Sequence, residues 1–342
     1  MLHGTQHLNR KLKSKHKSKK ITITVIILIL ATVYIAGSEF VLRAALVPEF
    51  METLDAFGKA TDIGYSTLVQ SEDIDTNNEK SLNETELWLQ EVGVQNYYMM
   101  SDDGFKLITT MFEQPADENG ENNAAWVIVL HGYTGWKEEM YPYAYEFYKQ
   151  GYNVLVPDLR AQGQSEGHYI GLGWEDRNDL KIWMDAVEKL HPGCRFIVFG
   201  LSMGASTALI LSGEADVQDR IDCVIADAAF TDGLSMFKDK CRDWLHIPSF
   251  GVIDTAGLLL RLHKGGYDIR KASALDAVTR SSIPTLFITG TEDKIVDPSN
   301  TEKLYSACSA QKEKLLIKGA GHGQCIDKEP ELYWNTIFDF IR

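Results

Sequence analysis

The chain has 342 residues, of which 44% are hydrophobic and 10% aromatic, enough for one large α/β domain with extensions and incompatible with wholesale disorder. Of its 34 Lys and Arg, seven fall in residues 1–20 with no acid among them, which leaves 27 against 48 Asp and Glu in the rest. A body so acidic repels polyanions, which argues against nucleic acid as a partner.

From Ile21 to Ser38 the chain runs 18 residues without a charge (ITITVIILILATVYIAGS). That length crosses a bilayer core as a helix, and a buried core helix would show a polar face that this run lacks. The basic residues before it and Glu39 after it predict an N-in, C-out orientation. The reading is therefore a basic cytoplasmic tail (1–20), a transmembrane signal anchor (21–38) and an extracytoplasmic body at the cell membrane. A signal peptide cleaved near Ala36-Gly37-Ser38 is the runner-up. Residues 39–95 read as a spacer. Within it, Phe40 to Phe57 could form an amphipathic helix near the membrane surface, and Ser71 to Glu86 is polar and acidic, a loop or a solvated helix.

The pattern becomes regular in the body, 96–342. Gly104 to Phe112 reads as an edge strand entered through the turn Ser101-Asp102-Asp103-Gly104. The run 125–130 is wholly apolar, as a strand buried on both faces requires. Trp136, Met140, Tyr143, Ala144 and Phe147 recur at helical spacing, and Gly151 ends that helix. Strand 152–157 follows, then a helix marked by Leu180, Trp183, Val187 and Leu190. Strand 195–200, helix 203–212, strands 221–226 and 283–289, helix 298–309, strand 314–318 and helix 330–342 complete the alternation. Such alternation predicts a mostly parallel sheet with helices on both faces, binding ligands at the carboxyl ends of its strands.

Three strand ends carry chemistry. Gly200-Leu201-Ser202-Met203-Gly204 joins a strand to a helix, the context of a nucleophile elbow, with Ser202 as nucleophile. A serine needs a base, and the base an orienting acid. Asp293 follows strand 283–289, and His322, within Gly319-Ala320-Gly321-His322-Gly323, follows strand 314–318. Asp227, Glu292 and Asp297 are rival acids: Asp227 reads as ordering the loop after it, and Asp297 as opening helix 298–309. The loop His131-Gly132-Tyr133-Thr134-Gly135 follows the first buried strand. An oxyanion needs two backbone N–H donors, and Met203 and Tyr133 are the candidates. The five cysteines form no C-x-x-C and no His-paired metal spacing, so no metal site is expected.

With these pieces the chain resembles the alpha/beta-hydrolase superfamily over roughly 95–342. The segment Asp158-Leu159-Arg160-Ala161-Gln162-Gly163-Gln164-Ser165 is similar to that superfamily's D-x-R-G-x-G-x-S signature, with Ala161 in place of the first glycine. The closer likeness is to membrane-tethered bacterial hydrolases of the serine aminopeptidase-like group, through the anchor, Gly171 to Arg177 and Asp227 to Thr231. The resemblance implies Ser202, Asp293 and His322 as triad and Tyr133 and Met203 as oxyanion donors. It also places a helical cap at 230–270, whose Trp244, Ile247, Phe250, Val252, Ile253 and Leu258 to Leu260 would roof the site and favour acyl or aryl groups. The expected activity is carboxylic ester hydrolysis on a small or medium substrate without a cofactor. A peptidase or amidase with the same triad is the nearest rival, and a catalytically silent surface-binding module the rival from another class. Oligomeric state is left open.

Overall fold

Strands that are apolar on both sides must be covered on both faces, and that requirement organises the body. The structure, a computed structural model, describes residues 2–61, 79–116, 125–245 and 251–342; residues 2–19, 57–61, 79–83 and 241–245 are described by their backbone alone. It begins with helices α1 (Leu2–Leu46), α2 (Pro48–Thr61) and α3 (Glu79–Val92). The strands are β1 (Asn96–Met100), β2 (Lys106–Phe112), β3 (Trp126–Leu130), β4 (Asn153–Pro157), β5 (Phe196–Leu201), β6 (Ile221–Asp227), β7 (Thr285–Gly290) and β8 (Lys312–Ile317). Between and after them run α4 (Tyr141–Lys149), α5 (Asp176–Leu190), α6 (Met203–Ser212), α7 (Gly233–Leu245), α8 (Val252–Leu262), α9 (Ala274–Val278), α10 (Ser299–Ala307), α11 (Cys325–Lys328) and α12 (Pro330–Ile341).

The strands form one sheet in the order β1-β2-β4-β3-β5-β6-β7-β8, antiparallel across β1, β2 and β4 and parallel from β4 to β8. Side chains of a strand alternate between faces, so each central strand feeds two cores. On one face Trp126, Ile128 and Leu130 of β3 and Phe196 and Val198 of β5 meet α5 and α6. On the other, Val127, Val129, Ile197 and Phe199 meet α4 and α12. Every residue of α6 is buried, so this short apolar helix lies at the centre and can hold a side chain at its N-terminus rigidly.

The expected edge strand is not the edge: β1 pairs outside β2. Its residues alternate between exposed and partly buried, Tyr97 and Met99 facing the core, and a run of only five residues does not by itself mark a strand. The turn between them is the one the sequence marks, closed by Ser101 N–H donating to Phe105 O (2.8 Å) and Gly104 N–H to Ser101 O (3.0 Å).

α1 is one continuous helix. Its part from Lys20 to Leu46 is long and apolar enough to cross a membrane. From Ile21 to Ile35 its large apolar side chains are exposed, but Ser38, Leu42 and Leu46 are buried against the body. Their i, i+4 spacing puts them on one helix face. Ile170 N–H donates to Leu46 O (3.0 Å), and Met51 of α2 joins the same core. At the other end of the 39–95 stretch, Trp88 of α3 packs on Phe112, Tyr145 and Tyr148. The stretch read as a spacer is thus packed into the body at both ends, through Leu42, Leu46 and Met51 at one and Trp88 at the other. Residues 62–78 lie outside the described residues, and with them the first half of the polar segment Ser71 to Glu86; the rest of that segment begins α3. Of the apolar residues read as a roof, Ile247 and Phe250 also lie outside the described residues, as does the side chain of Trp244.

Candidate active site

Ser202 sits between β5 and α6 at φ 56°, ψ −113°, a backbone state that non-glycine residues rarely adopt. Its flanking glycines are required by space. A Cβ on Gly200 would lie 2.3 Å from the Gly204 backbone, and one on Gly204 would lie 2.4 Å from Leu130 O. Ser202 N–H donates to Asp227 O (2.7 Å), which ties the elbow to the next strand.

Asp293 and His322 follow β7 and β8, two neighbouring parallel strands, so their loops leave the sheet side by side. The loops are cross-braced. Thr291 N–H donates to Ile317 O (3.0 Å), Glu292 N–H to Ala320 O (2.9 Å) and Gly319 N–H to Thr291 Oγ1 (2.9 Å). Gly290 has no room for a side chain, because a Cβ there would lie 2.2 Å from Ala320 O. Gln324 Oε1 accepts from Gly321 N–H (3.1 Å), holding the residue before the histidine. Thr291 and Gln324 were not singled out by sequence, since a threonine and a glutamine in polar loops carry no signal of their own.

Across these loops the three side chains meet. His322 Nε2 lies 2.9 Å from Ser202 Oγ, and His322 Nδ1 lies 2.8 Å from Asp293 Oδ2. The other carboxylate oxygen, Oδ1, accepts from the N–H groups of Ile295 and Val296, both at 2.8 Å. An aspartate held in that way accepts the Nδ1 proton, which leaves Nε2 free to accept from the serine hydroxyl. Ser202 and Asp293 are buried, and His322 keeps 17% of its side chain exposed. The arrangement can therefore draw a proton from Ser202 while staying open to a substrate on one side.

The loop after β3 abuts the serine: a Cβ on Gly132 would lie 3.6 Å from Ser202 Cβ. Met203 is the first residue of α6, where a backbone N–H has no intrahelical acceptor and points out of the helix end. Tyr133 is anchored from outside the site, its hydroxyl donating to Ala45 O at the end of α1 and its ring meeting Phe237 of α7 at 6.2 Å. His131 is not at the reacting centre. It is buried, Nε2 accepts from Leu159 N–H (2.9 Å), Nδ1 lies 2.8 Å from Gly132 O, and burial lowers its pKa, so it braces the loop as a neutral ring. Gln162 Oε1 accepts from Thr134 N–H (2.7 Å), so the signature segment steadies the same loop. Ala161 of that segment takes φ 58°, the left-handed conformation that favours glycine.

The rival acids have other partners. Asp297 Oδ1 accepts from Ser299 N–H (2.8 Å) at the start of α10, and Glu292 is exposed. Asp227 was expected to order its own loop; instead its Oδ2 accepts from Tyr333 on α12 (2.9 Å). Burial pushes the Asp227 carboxyl up to about 6. Cys194, Cys223, Cys308 and Cys325 are free thiols, while the side chain of Cys241 lies outside the described ones. Among the described residues no group of three or more His, Cys, Asp and Glu is arranged to hold a metal ion.

Comparison with known proteins agrees with this architecture. The chain matches the alpha/beta hydrolase fold family over residues 125–252 and the serine aminopeptidase S33 family over residues 255–329. It is 30% identical to the uncharacterized protein YqkD of Bacillus subtilis, over 63% of this chain and 70% of that one. It is 26% identical to a thermostable monoacylglycerol lipase of a Bacillus species, over 65% and 92%. An uncharacterized membrane protein of Saccharomyces cerevisiae, YNL320W, is 28% identical over 57% and 63%. Among solved structures, the Pyrococcus furiosus esterase Pf2001 superposes with a TM-score of 0.59 at 25% identity, over 73% of this chain and 91% of that one.

Proposed function

The chain belongs to the alpha/beta-hydrolase superfamily, in its serine aminopeptidase-like group, and from that premise we propose that it is a serine carboxylesterase. One observation carries the reading: the continuous hydrogen-bonded line from Ser202 Oγ through His322 to Asp293, at 2.9 and 2.8 Å. His322 takes the serine proton as Oγ attacks the ester carbonyl. Asp293 holds the imidazole in the tautomer that can accept, and stabilises the imidazolium that forms. The N–H groups of Met203 and Tyr133 receive the oxyanion. His322 then protonates the leaving alcohol and activates the water that releases the acid. The esterase and the monoacylglycerol lipase among its relatives favour an ester over an amide.

A peptidase or amidase is the second reading, favoured by the match to the serine aminopeptidase family over residues 255–329. Turnover of p-nitrophenyl esters beside aminoacyl and peptide anilides separates the two. A fluorophosphonate probe should label wild-type protein and leave Ser202→Ala unlabelled. Absence of label on folded wild type overturns the enzyme reading. We further propose that α1 anchors the protein N-in, with the body outside the cytoplasm, on the seven basic residues preceding the apolar run.

A further inference from the structure

Because α1 passes from its apolar run into the body without a break, the height of the site above a membrane can be read along the helix. Ala45, whose carbonyl holds Tyr133, lies seven residues beyond Ser38, the end of the apolar run. At about 1.5 Å per residue the oxyanion loop is tied down roughly 10 Å above the edge of the hydrocarbon core, and any tilt of the helix brings it lower. That is less than about two headgroup layers, each about 5–7 Å thick.

The α7–α8 pair reaches lower still. α8 lies along α1: Tyr34 hydroxyl and Thr255 Oγ1 are 3.1 Å apart, and His263 Nε2 is 3.4 Å from Glu39 Oε2. Tyr34 is four residues inside the apolar run, so the first turn of α8 sits roughly 6 Å below its end. The acid on that turn, Asp254, is held by Lys238 of α7 at 2.6 Å. At the other end of α8 the polar groups gather where headgroups belong: Glu39 pairs with Arg43 at 2.7 Å, and Tyr169 hydroxyl meets His263 Nδ1 at 2.8 Å. Between these levels α8 presents Leu258 and Leu262 to the outside, 55% and 71% exposed. In water such leucines are a liability; against acyl chains they are stable. α7, in turn, carries the Phe237 that packs on Tyr133.

Resting on the anchored-esterase reading above, we propose that the substrate is a long-chain acyl ester resident in the bilayer, lifted into the site along a cap whose α8 face lies in the membrane surface. A single-chain ester places its carbonyl at the boundary of headgroup and hydrocarbon. It needs to rise by roughly 10 Å to the level at which the loop beside Ser202 is tied down, with its chain still partly among the lipids.

The test uses the full chain in phosphatidylcholine vesicles, with 1-oleoylglycerol in the bilayer and p-nitrophenyl butyrate in the water. Wild type should cleave both. The double variant Leu258→Asp, Leu262→Asp should lose about tenfold or more on oleoylglycerol and stay within about twofold on butyrate. Equal loss on both, no loss on oleoylglycerol, or a wild type that cleaves only butyrate overturns the proposal alone. Cleavage of neither by wild type overturns the esterase reading and this proposal with it. Should the double variant misfold, Leu258→Trp with brominated phosphatidylcholine reads the same contact. The added fluorescence should be quenched, and an unquenched signal refutes the membrane placement.

Discussion

Two carboxylates stand at the ends of adjacent strands, Asp227 after β6 and Asp293 after β7, both close to His322, yet their surroundings differ in kind. Asp293 Oδ1 receives two backbone N–H groups from its own loop, and Oδ2 receives the imidazole. The Asp227 carboxyl is fully buried; its Oδ2 accepts from Tyr333, the Cys325 thiol lies within hydrogen-bonding reach of it, and no backbone N–H among the described residues reaches it. Backbone donors stabilise a charge without needing a counter-ion, whereas burial with one phenol favours the protonated form. The difference teaches that proximity to a histidine does not select the acid. The carboxylate that meets the imidazole is the one whose other oxygen is fixed by backbone amides of its own loop.

The sharpest way to break the comparison is kinetic. Asp293→Asn should lower kcat by up to about 10⁴-fold by stabilising the wrong imidazole tautomer, while Asp227→Asn should leave kcat within about threefold. Steady-state turnover of one soluble ester by both variants decides it, and the reverse ranking transfers the role to Asp227.

A second, smaller effect is on stability. Tyr333→Phe removes the hydrogen bond to a buried carboxyl and should cost about 1–3 kcal/mol in denaturant unfolding, with kcat close to wild type. A large loss of kcat at unchanged stability would instead tie the Tyr333–Asp227 pair to catalysis.

The smallest expected effect is the pH dependence of stability. Asp227 titrates at about 6 in the folded protein and at about 4 in the unfolded chain. Between those values the folded state holds more protons, so acid stabilises through this group, and above about 6 the ionised buried carboxylate costs stability. Asp227→Asn should therefore gain on wild type as pH rises from about 4 to 6, and gain nothing further above it. Chemical denaturation at about pH 4.5, 6 and 8 measures this, and a difference independent of pH contradicts the burial argument.

Much of the site is legible in the sequence, for local reasons. Gly200 and Gly204 mark a place where a Cβ has no room, and the apolar runs before Ser202 and His131 say that strands lead there. Asp293 and His322 stand out as the acid and the histidine that follow downstream strands. Less is legible where a role depends on a partner far along the chain. Gln162 reads as one residue of a signature until its amide is found on Thr134 N–H, and Asp227 reads as a loop residue until Tyr333, 106 positions later, is seen to donate to it. β1, Asn96 to Met100, is apolar in four of its five residues, but so short a run does not by itself mark a strand, and only its pairing with β2 shows it to be the edge.

The N-terminal arm shows the same division most clearly. Composition and spacing alone determined a basic tail, an uncharged run long enough to span a bilayer, an alternating α/β body, and a serine, an acid and a histidine each at the end of a strand. These follow from short-range physics: sterics at a turn, periodicity within one element, charge beside an apolar run. Only the tertiary structure decided that the helix continues past the apolar run, that Ser38, Leu42 and Leu46 bury one face of it in the body, and that Ala45 takes hold of Tyr133. It likewise decided which of two neighbouring aspartates the histidine meets. Such outcomes depend on which residues distant in sequence become neighbours in space, and no local pattern encodes that.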